Sequence, residues 1–517
     1  MNYEAGFLDA IHHDPDDDTP RLIYADWLDE QGRPDQMAKA EFIRVQIARA
    51  HLSGDDATND DLKDRERALR LAHEKEWLGP IAGCVEEVSF RGGLLSAVAM
   101  PLRDFLSHAD ELFALGPVTV LELYGPPPAD SSEFARLGAC PQLAGVRHLG
   151  LSFQTLRAAE LDCLAASPYL SGLQSLELGN NHLGPEEVRV LAASPSLTHL
   201  TGLNLVGNAI GASGVEMIAT SPTFAALKDL NLGQNAIGTA GLEMIATSRQ
   251  VMDLRFLGLS RTQASEAGVR TLAAAPRLAD LEQLDLSWNL LNTETIQALA
   301  TSPHLKRLTT LHLDNCRLPP SAAAALANSK NFTSLQSLHL GGNQLGARGA
   351  RLLAGSPNLT AMAILDLSGN EIGDDGARAI GESPHLRNLT TLELAFNGLS
   401  VWGVSALTDS EHLTRLHSLN LQGNVLRDMG LQVLARWPRL PQVMRLNLRS
   451  NRIGDTGVRD LANAASSCRL QALNLSNNDV TAAGARALAE SGLIDRIAEL
   501  VFSDNDFAEE TVLPTST

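Results

Sequence analysis

The 517-residue chain is short of cysteine, of aromatic side chains and of positive charge, and each shortage excludes something. Its five cysteines, Cys84, Cys140, Cys163, Cys316 and Cys468, form no CxxC pair and are odd in number. A disulfide framework or a cysteine zinc site is therefore not expected; free thiols in a reducing, cytoplasmic setting are. Aromatics make up 4% of the chain against 44% hydrophobic residues, so the core has to be built from leucine, alanine and valine in many small layers. Lys and Arg number 41 against 61 Asp and Glu, a formal charge of −20, which argues against nucleic acid or anionic membrane as a partner. No run approaches the roughly 20 apolar residues of a membrane span. Residues 1–18 carry acids where a signal peptide needs a basic end.

What the chain does have is a period. Leu173-Gln-Ser-Leu176-Glu-Leu178-Gly-Asn-Asn181-His-Leu183 has the form LxxLxLxxNxL. The form returns every 27 residues without an insertion, at Asn208, Asn235, Thr262, Asn289, Cys316, Asn343, Asn370, Asn397, Asn424, Asn451, Asn478 and Asn505. Upstream, Leu149 and Leu151 keep the phase and Leu121 and Leu123 lie one residue out of it. Val88 and Phe90 read as an earlier degenerate strand, for about fifteen turns in all.

Each repeat reads as a short strand, a tight loop and a helix. Alternating leucines point to one side of a strand and the residues between them to the other. The Asn that follows has both a donor and an acceptor for loop backbone that no strand satisfies, and stacking would align these side chains into a ladder. Thr262 and Cys316 make weaker versions of those bonds. Segments such as Gly373-Asp-Asp-Gly376-Ala-Arg-Ala-Ile380 have helical spacing, with small residues where the helix meets the sheet. Ser-Pro pairs (Ser194-Pro195, Ser302-Pro303, Ser356-Pro357, Ser383-Pro384) are expected to end the helices. Strands stack about 4.8 Å apart and helices about 8–10 Å, so the array is expected to bend into a horseshoe with strands inside.

The 27-residue unit with its GxxGAxxLA helix resembles the ribonuclease-inhibitor-like class of leucine-rich repeats over residues 115–507. That resemblance implies an α/β solenoid, an inner parallel sheet with outer helices, and a function in binding a protein rather than in catalysis. Residues 1–80 differ, with 19 acids and 10 bases. Helices are expected over Tyr3–His12, from Thr19 as cap with Pro20 in the first turn to before Gly32, over 36–52 and over 61–76. The run from Glu4, Phe7, Leu8 and Ile11 through Asp14-Pro15 to Tyr24-Ala25-Asp26-Trp27-Leu28, with Ala40-Glu41-Phe42-Ile43-Arg44, resembles the repeat-companion domain of planctomycete and myxobacterial repeat proteins. It implies a bacterial source and association with a repeat array; the residues themselves read as a small helical core of Tyr24, Trp27, Leu28, Phe42 and Ile43, able to dock on the first repeat, with a ligand site as the competing reading. The expected organisation is 1–80 companion domain, 81–145 transition and degenerate repeats, 146–507 regular repeats and 508–517 tail.

Signatures of chemistry fail on inspection. Asp14, Asp16 and Asp18 begin like an EF-hand, but Thr19 and Ala25 stand where its glycine and glutamate belong. His73-Glu74 begins like a zincin, but Trp77 replaces the second histidine. No catalytic set, metal site or cofactor is expected. Most concave positions are small or amide, and the exceptions form a candidate protein-binding strip: Phe256, Arg261, Asp285, Trp288, His312, Asp314, His339, Asp366, Glu393 and Phe396. Aromatics and Arg among small polar groups suit an interface; sideways packing of Trp288 and Phe396 over neighbouring loops is the competing reading. Trp402 reads as rim packing, with a second contact surface as the alternative. The expected function is a protein-binding scaffold. An accessory to an enzyme (a GTPase activator or ubiquitin-ligase effector, with Arg261 and Arg449 as the concave arginines) and a purely structural array are the alternatives.

Overall fold

The computed structural model describes residues 3–14, 17–52, 58–127, 130–464 and 469–506; Pro15, Asp16, Cys468, Phe507 and the 508–517 tail lie outside these. The chain divides into two compact units, residues 1–235 with 248–252, and residues 236–247 with 253–517.

The first unit opens with four helices, α1 (Tyr3–His13), α2 (Thr19–Glu30), α3 (Pro34–Ala50) and α4 (Thr58–Leu78). Helix α2 starts one residue earlier than expected, at the residue expected to cap it. The Thr19 N–H donates to Asp17 Oδ1 at 2.9 Å, so Thr19 joins the first turn and Asp18 takes the cap position. Tyr24, Leu28 and Ile43 are buried together with Ile11 and Ile47 in one cluster, against which Trp27 packs, while Phe42 centres a second with Val45 and Leu69. Neither cluster is closed by helices alone. Leu94 completes the first, and Phe90 packs on the second with Trp77.

Those two residues sit on a hairpin, β1 (Glu87–Arg91) and β2 (Leu94–Pro101), paired antiparallel. Strand β2 has no LxL pattern and sequence reasoning passed over it; its Leu94, Leu95, Val98 and Met100 are all buried. From β2 onward this unit's strands run parallel: β3 (Val120–Tyr124), β4 (His148–Gly150), β5 (Ser175–Glu177), β6 (Gly202–Asn204) and β7 (Asp229–Asn231). The register sets Leu121 opposite Leu149, so the one-residue phase slip is absorbed in the connection between them.

The second unit holds β8 (Phe256–Gly258), β9 (Gln283–Asp285), β10 (Thr310–His312), β11 (Ser337–His339), β12 (Ile364–Asp366), β13 (Thr391–Glu393), β14 (Ser418–Asn420), β15 (Arg445–Asn447), β16 (Ala472–Asn474) and β17 (Glu499–Val501). Each pairs in parallel with the next, in register across 27 residues. A helix follows each strand from β8 to β16, as in Gly373–Gly381 and Ala482–Glu490. The strand leucines are buried, for example Leu311, Leu338 and Leu365 at 0–2% exposure. Burial of each such side chain is worth about 1.5–3 kcal/mol. Small residues hold helices close: a Cβ on Gly381 would run into the Ala406 carbonyl oxygen of the next helix.

Two ladders tie one repeat to the next. Asn370 shows the first. Its Nδ2 donates to the Leu340 and Leu367 carbonyls at 2.7 and 3.1 Å, and its Oδ1 accepts from Leu345 N at 3.2 Å. Thr262 keeps one side-chain bond, donating to the Leu259 carbonyl at 2.7 Å, and Cys316 reaches Leu286 O through sulfur at 3.3 Å. The second ladder is made by the serines of the Ser-Pro pairs and their counterparts one period away. Ser329 Oγ donates to Ala300 O at 2.7 Å and Ser356 Oγ to Ala327 O at 2.6 Å. Each therefore binds the end of the preceding repeat's helix, and accepts from the backbone two residues ahead, as in Asn358 N to Ser356 Oγ at 3.2 Å. The serine is a tie between layers as well as a stop.

Candidate functional site

All ten residues of the candidate strip lie in the second unit, on β8–β13 and the loops that follow them. Strand alternation buries the leucines and leaves the flanking side chains on the open face of the sheet. The register then sorts the strip into rows. One row runs Gly258, Asp285, His312, His339, Asp366, Glu393 along adjacent strands. Two imidazoles are thus flanked by carboxylates along a single line. Asp314 stands two residues after His312 on the same face, and Phe256 begins β8 one row over, half-buried.

The histidine rings stack with centroids 4.2 Å apart and planes 15° from parallel. His312 Nδ1 lies 3.9 Å from Asp314 Oδ2. The Asp314 carboxylate accepts from Gly341 N at 2.7 Å and from Ser287 Oγ at 3.3 Å. Burial pushes its pKa up, and the nearby Asp366 charge adds to that, against the pull of Gly341, His312 and Ser287. Burial likewise raises Glu393, and lowers His339 with the neighbouring His312 acting in the same direction. Among the described residues no Lys or Arg is ion-paired with Asp285, Asp314, Asp366 or Glu393.

Arg261, Trp288 and Phe396 occupy a different position, the loop residue just before the ladder site. The backbone there is left-handed: φ is 54° at Arg261, 60° at Trp288 and 54° at Phe396. Seven equivalent residues, Gly207, Gly342, Gly369, Gly423, Asn180, Asn315 and Asn477, are types that tolerate this conformation, and Phe153, Gln234, Ser450 and Asp504 share it. A bulky ring there is strained, and nothing in the core calls for it: Trp288 is 50% exposed and Phe396 57%. Arg261 lies over the Trp288 ring with its guanidinium carbon 4.1 Å from the centroid, a cation–π contact. The Phe396 ring lies over Gly423, so the sideways packing weighed from sequence is present for one edge of that ring. Trp402, read as rim packing, instead leaves 71% of its surface exposed at the start of the Val401–Thr408 helix. Beyond Glu393 the open face has a hollow of about 230 Å³ lined by Asn420, Arg445, Asn447 and Asn474 among others.

The left-handed position was missed from sequence, although glycine and asparagine recurring at one phase of the period were the available signal. So was the grouping of His312, His339 and Asp314, whose spacings of 27 and 2 residues match no familiar ligand motif.

A family model described as a leucine-rich repeat matches residues 196–219, 226–246, 333–354, 360–381, 385–407, 412–435, 442–462 and 466–489. Comparison with curated proteins finds no match. Among solved structures, the chain is similar to an internalin (InlF) of Listeria monocytogenes, at 17% identity and TM-score 0.36, over 68% of this chain and 84% of that one. It is similar to a chain of the mouse RP105/MD-1 complex at 20% identity and TM-score 0.43, over 75% of this chain and 60% of that one. For a chain of the yeast Rad7–Elc1 complex the values are 17%, 0.45, 70% and 87%. Strand, loop and helix in 27-residue register, with the repeat matches, define a leucine-rich-repeat solenoid. This chain is a leucine-rich-repeat protein with an N-terminal helical region. No helix among its described residues is long and apolar enough to cross a membrane.

Proposed function

We propose that the chain is a protein-binding scaffold whose partner seats on the open face of β8–β13, between Trp288 and Phe396. The observation that carries this is the pair of half-exposed rings on left-handed backbone, at a position where seven of the other repeats have glycine or asparagine. A strained, exposed aromatic that the fold does not need is best explained by contact with something else. The rings stand four repeats apart, about 19 Å by strand spacing, with Asp285, Asp314, Asp366 and Glu393 between them. That pattern suits a partner surface with two apolar projections flanking a basic segment.

Residues 1–80 are, in the same reading, a repeat-companion domain that covers the hairpin end of the array, which is supported by Leu94 and Phe90 joining its clusters. The 27-residue strand–helix step supports the ribonuclease-inhibitor-like class. Free thiols at Cys84, Cys140, Cys163 and Cys316 fit a cytoplasmic location.

The test is capture of a partner from native lysate, followed by affinity measurement with wild type and a Trp288→Gly/Phe396→Gly variant. Loss of at least about tenfold in affinity without loss of melting temperature supports the reading. Undiminished binding would move the site elsewhere, and no partner would favour a structural array.

A further inference from the structure

We propose that His312, His339 and Asp314 form a three-ligand site for a divalent transition-metal ion of the zinc class. The site stands independently of the partner reading, because its ligands need nothing from another molecule.

The three side chains each offer one ligand atom, and these atoms lie within 4.8 Å of one another. A tetrahedral ion with bonds of about 2.0–2.2 Å holds its ligand atoms about 3.4 Å apart. The 3.9 Å from His312 Nδ1 to Asp314 Oδ2 is already near that edge. Rotation of two partly exposed imidazoles out of their stack closes the rest. The backbone beneath is fixed: β10 and β11 place His312 beside His339 in parallel register, and Asp314 follows on the same face. Ligands on adjacent strands are held more firmly than ligands on loops.

The surroundings have the features of a ligand set. The Asp314 carboxylate is oriented by Gly341 N and Ser287 Oγ, and one ring nitrogen of His339 meets Ser337 Oγ at 2.8 Å. Such outer hydrogen bonds aim metal ligands. Space is left as well. A Cβ at Gly341 would stand 3.1 Å from Asp314 Oδ1; along that row Asp314 and Gly341 are flanked by Ser287 on one side and Ser368 on the other. Glycine here keeps the carboxylate uncrowded. The field also favours a cation, since four carboxylates line this part of the face with no Lys or Arg paired to them among the described residues.

Two imidazoles and one carboxylate suit Zn²⁺, Co²⁺, Ni²⁺ or Cu²⁺ rather than the all-oxygen preference of Mg²⁺ or Ca²⁺. Three protein ligands leave a fourth position open to water or to an incoming side chain.

The experiment is calorimetric titration of the tag-free, chelator-stripped full chain with Zn²⁺, repeated with a His312→Asn/His339→Asn variant and with His304→Asn as a control. One equivalent is expected to bind the wild type and the control alike, with affinity at least about tenfold weaker in the double variant. Visible absorption of the Co²⁺ form should show the bands of a four- or five-coordinate ion, absent in the double variant. Affinity in the double variant within about threefold of wild type, or no stoichiometric Zn²⁺ binding by the wild type, overturns the proposal. Circular dichroism of the metal-free double variant checks its fold. If that fold is altered, Asp314→Asn takes its place, since it preserves the shape and the bond from Gly341. Unchanged affinity there overturns the proposal equally.

Discussion

Strands β9–β13 and β14–β16 have the same scaffold and different faces. Both stretches bury their leucines, and both keep the ladder residue inside, from Asn289 at 2% exposure to Asn451 at 0%. Yet the middle row reads Asp, His, His, Asp, Glu in the first stretch and Asn420, Asn447, Asn474 in the second. At the left-handed loop position the first stretch includes Trp288 and Phe396, whereas the second has Gly423, Ser450 and Asn477. Folding demands the same of both, so the difference cannot come from folding. A repeat protein thus supplies its own control: residues that depart from their siblings without gain to the core mark where the surface has another task.

The largest test of this comparison attacks what the two stretches share. Asn370→Leu removes several buried hydrogen bonds and strands backbone donors and acceptors, at a cost of about 3 kcal/mol. Urea denaturation should show it, and a loss below about 1 kcal/mol would mean the ladder is not what joins the layers. Next comes what they do not share. Trp288→Gly/Phe396→Gly should leave stability equal or higher, by about 1 kcal/mol for each relieved left-handed residue, even as it abolishes partner binding. A clear fall in melting temperature would return both rings to a packing role. Third, Cys316→Asn should restore the ladder's acceptor and stabilise the chain by about 1 kcal/mol, read as a higher denaturation midpoint; no gain would show that the sulfur contacts already suffice.

The smallest effect is electrostatic. Burial raises Glu393 above the ordinary carboxylate range. A raised folded pKa means the folded state holds its proton longer than the unfolded chain does. Stability from this group is therefore complete below the unfolded pKa and is lost as pH rises through the folded one. Glu393→Gln should raise the melting temperature at pH 7 by on the order of one degree, and the difference should vanish near pH 4, where wild type is protonated too. A gain independent of pH would point to packing instead.

The fold was largely legible because its period is rigid. Thirteen ladder positions spaced by 27 announce strand, loop and helix before any coordinate is known. What was not legible lies in relations across the period. Ser302 and Ser356 looked like helix stops because the bond each makes goes to Ala273 or Ala327 in the repeat before. Strand β2 escaped because it pairs with β1 by a tight antiparallel turn and lacks the leucine pattern. The candidate strip was legible as a set of unusual residues. Its organisation into a row of five, a cation–π pair and a histidine–carboxylate cluster required the register.

Every tie of the asparagine and serine ladders reaches from one repeat to the next and no further. Removing one 27-residue step between Asn289 and Asn451, or inserting another, rejoins groups that already know how to meet. The number of layers is then a quantity that unequal recombination can adjust in whole units. Chemistry carried on one stretch, such as the row from Asp285 to Glu393, can be lengthened, shortened or moved along the array as text is moved along a line, with no rewriting of the grammar beneath it.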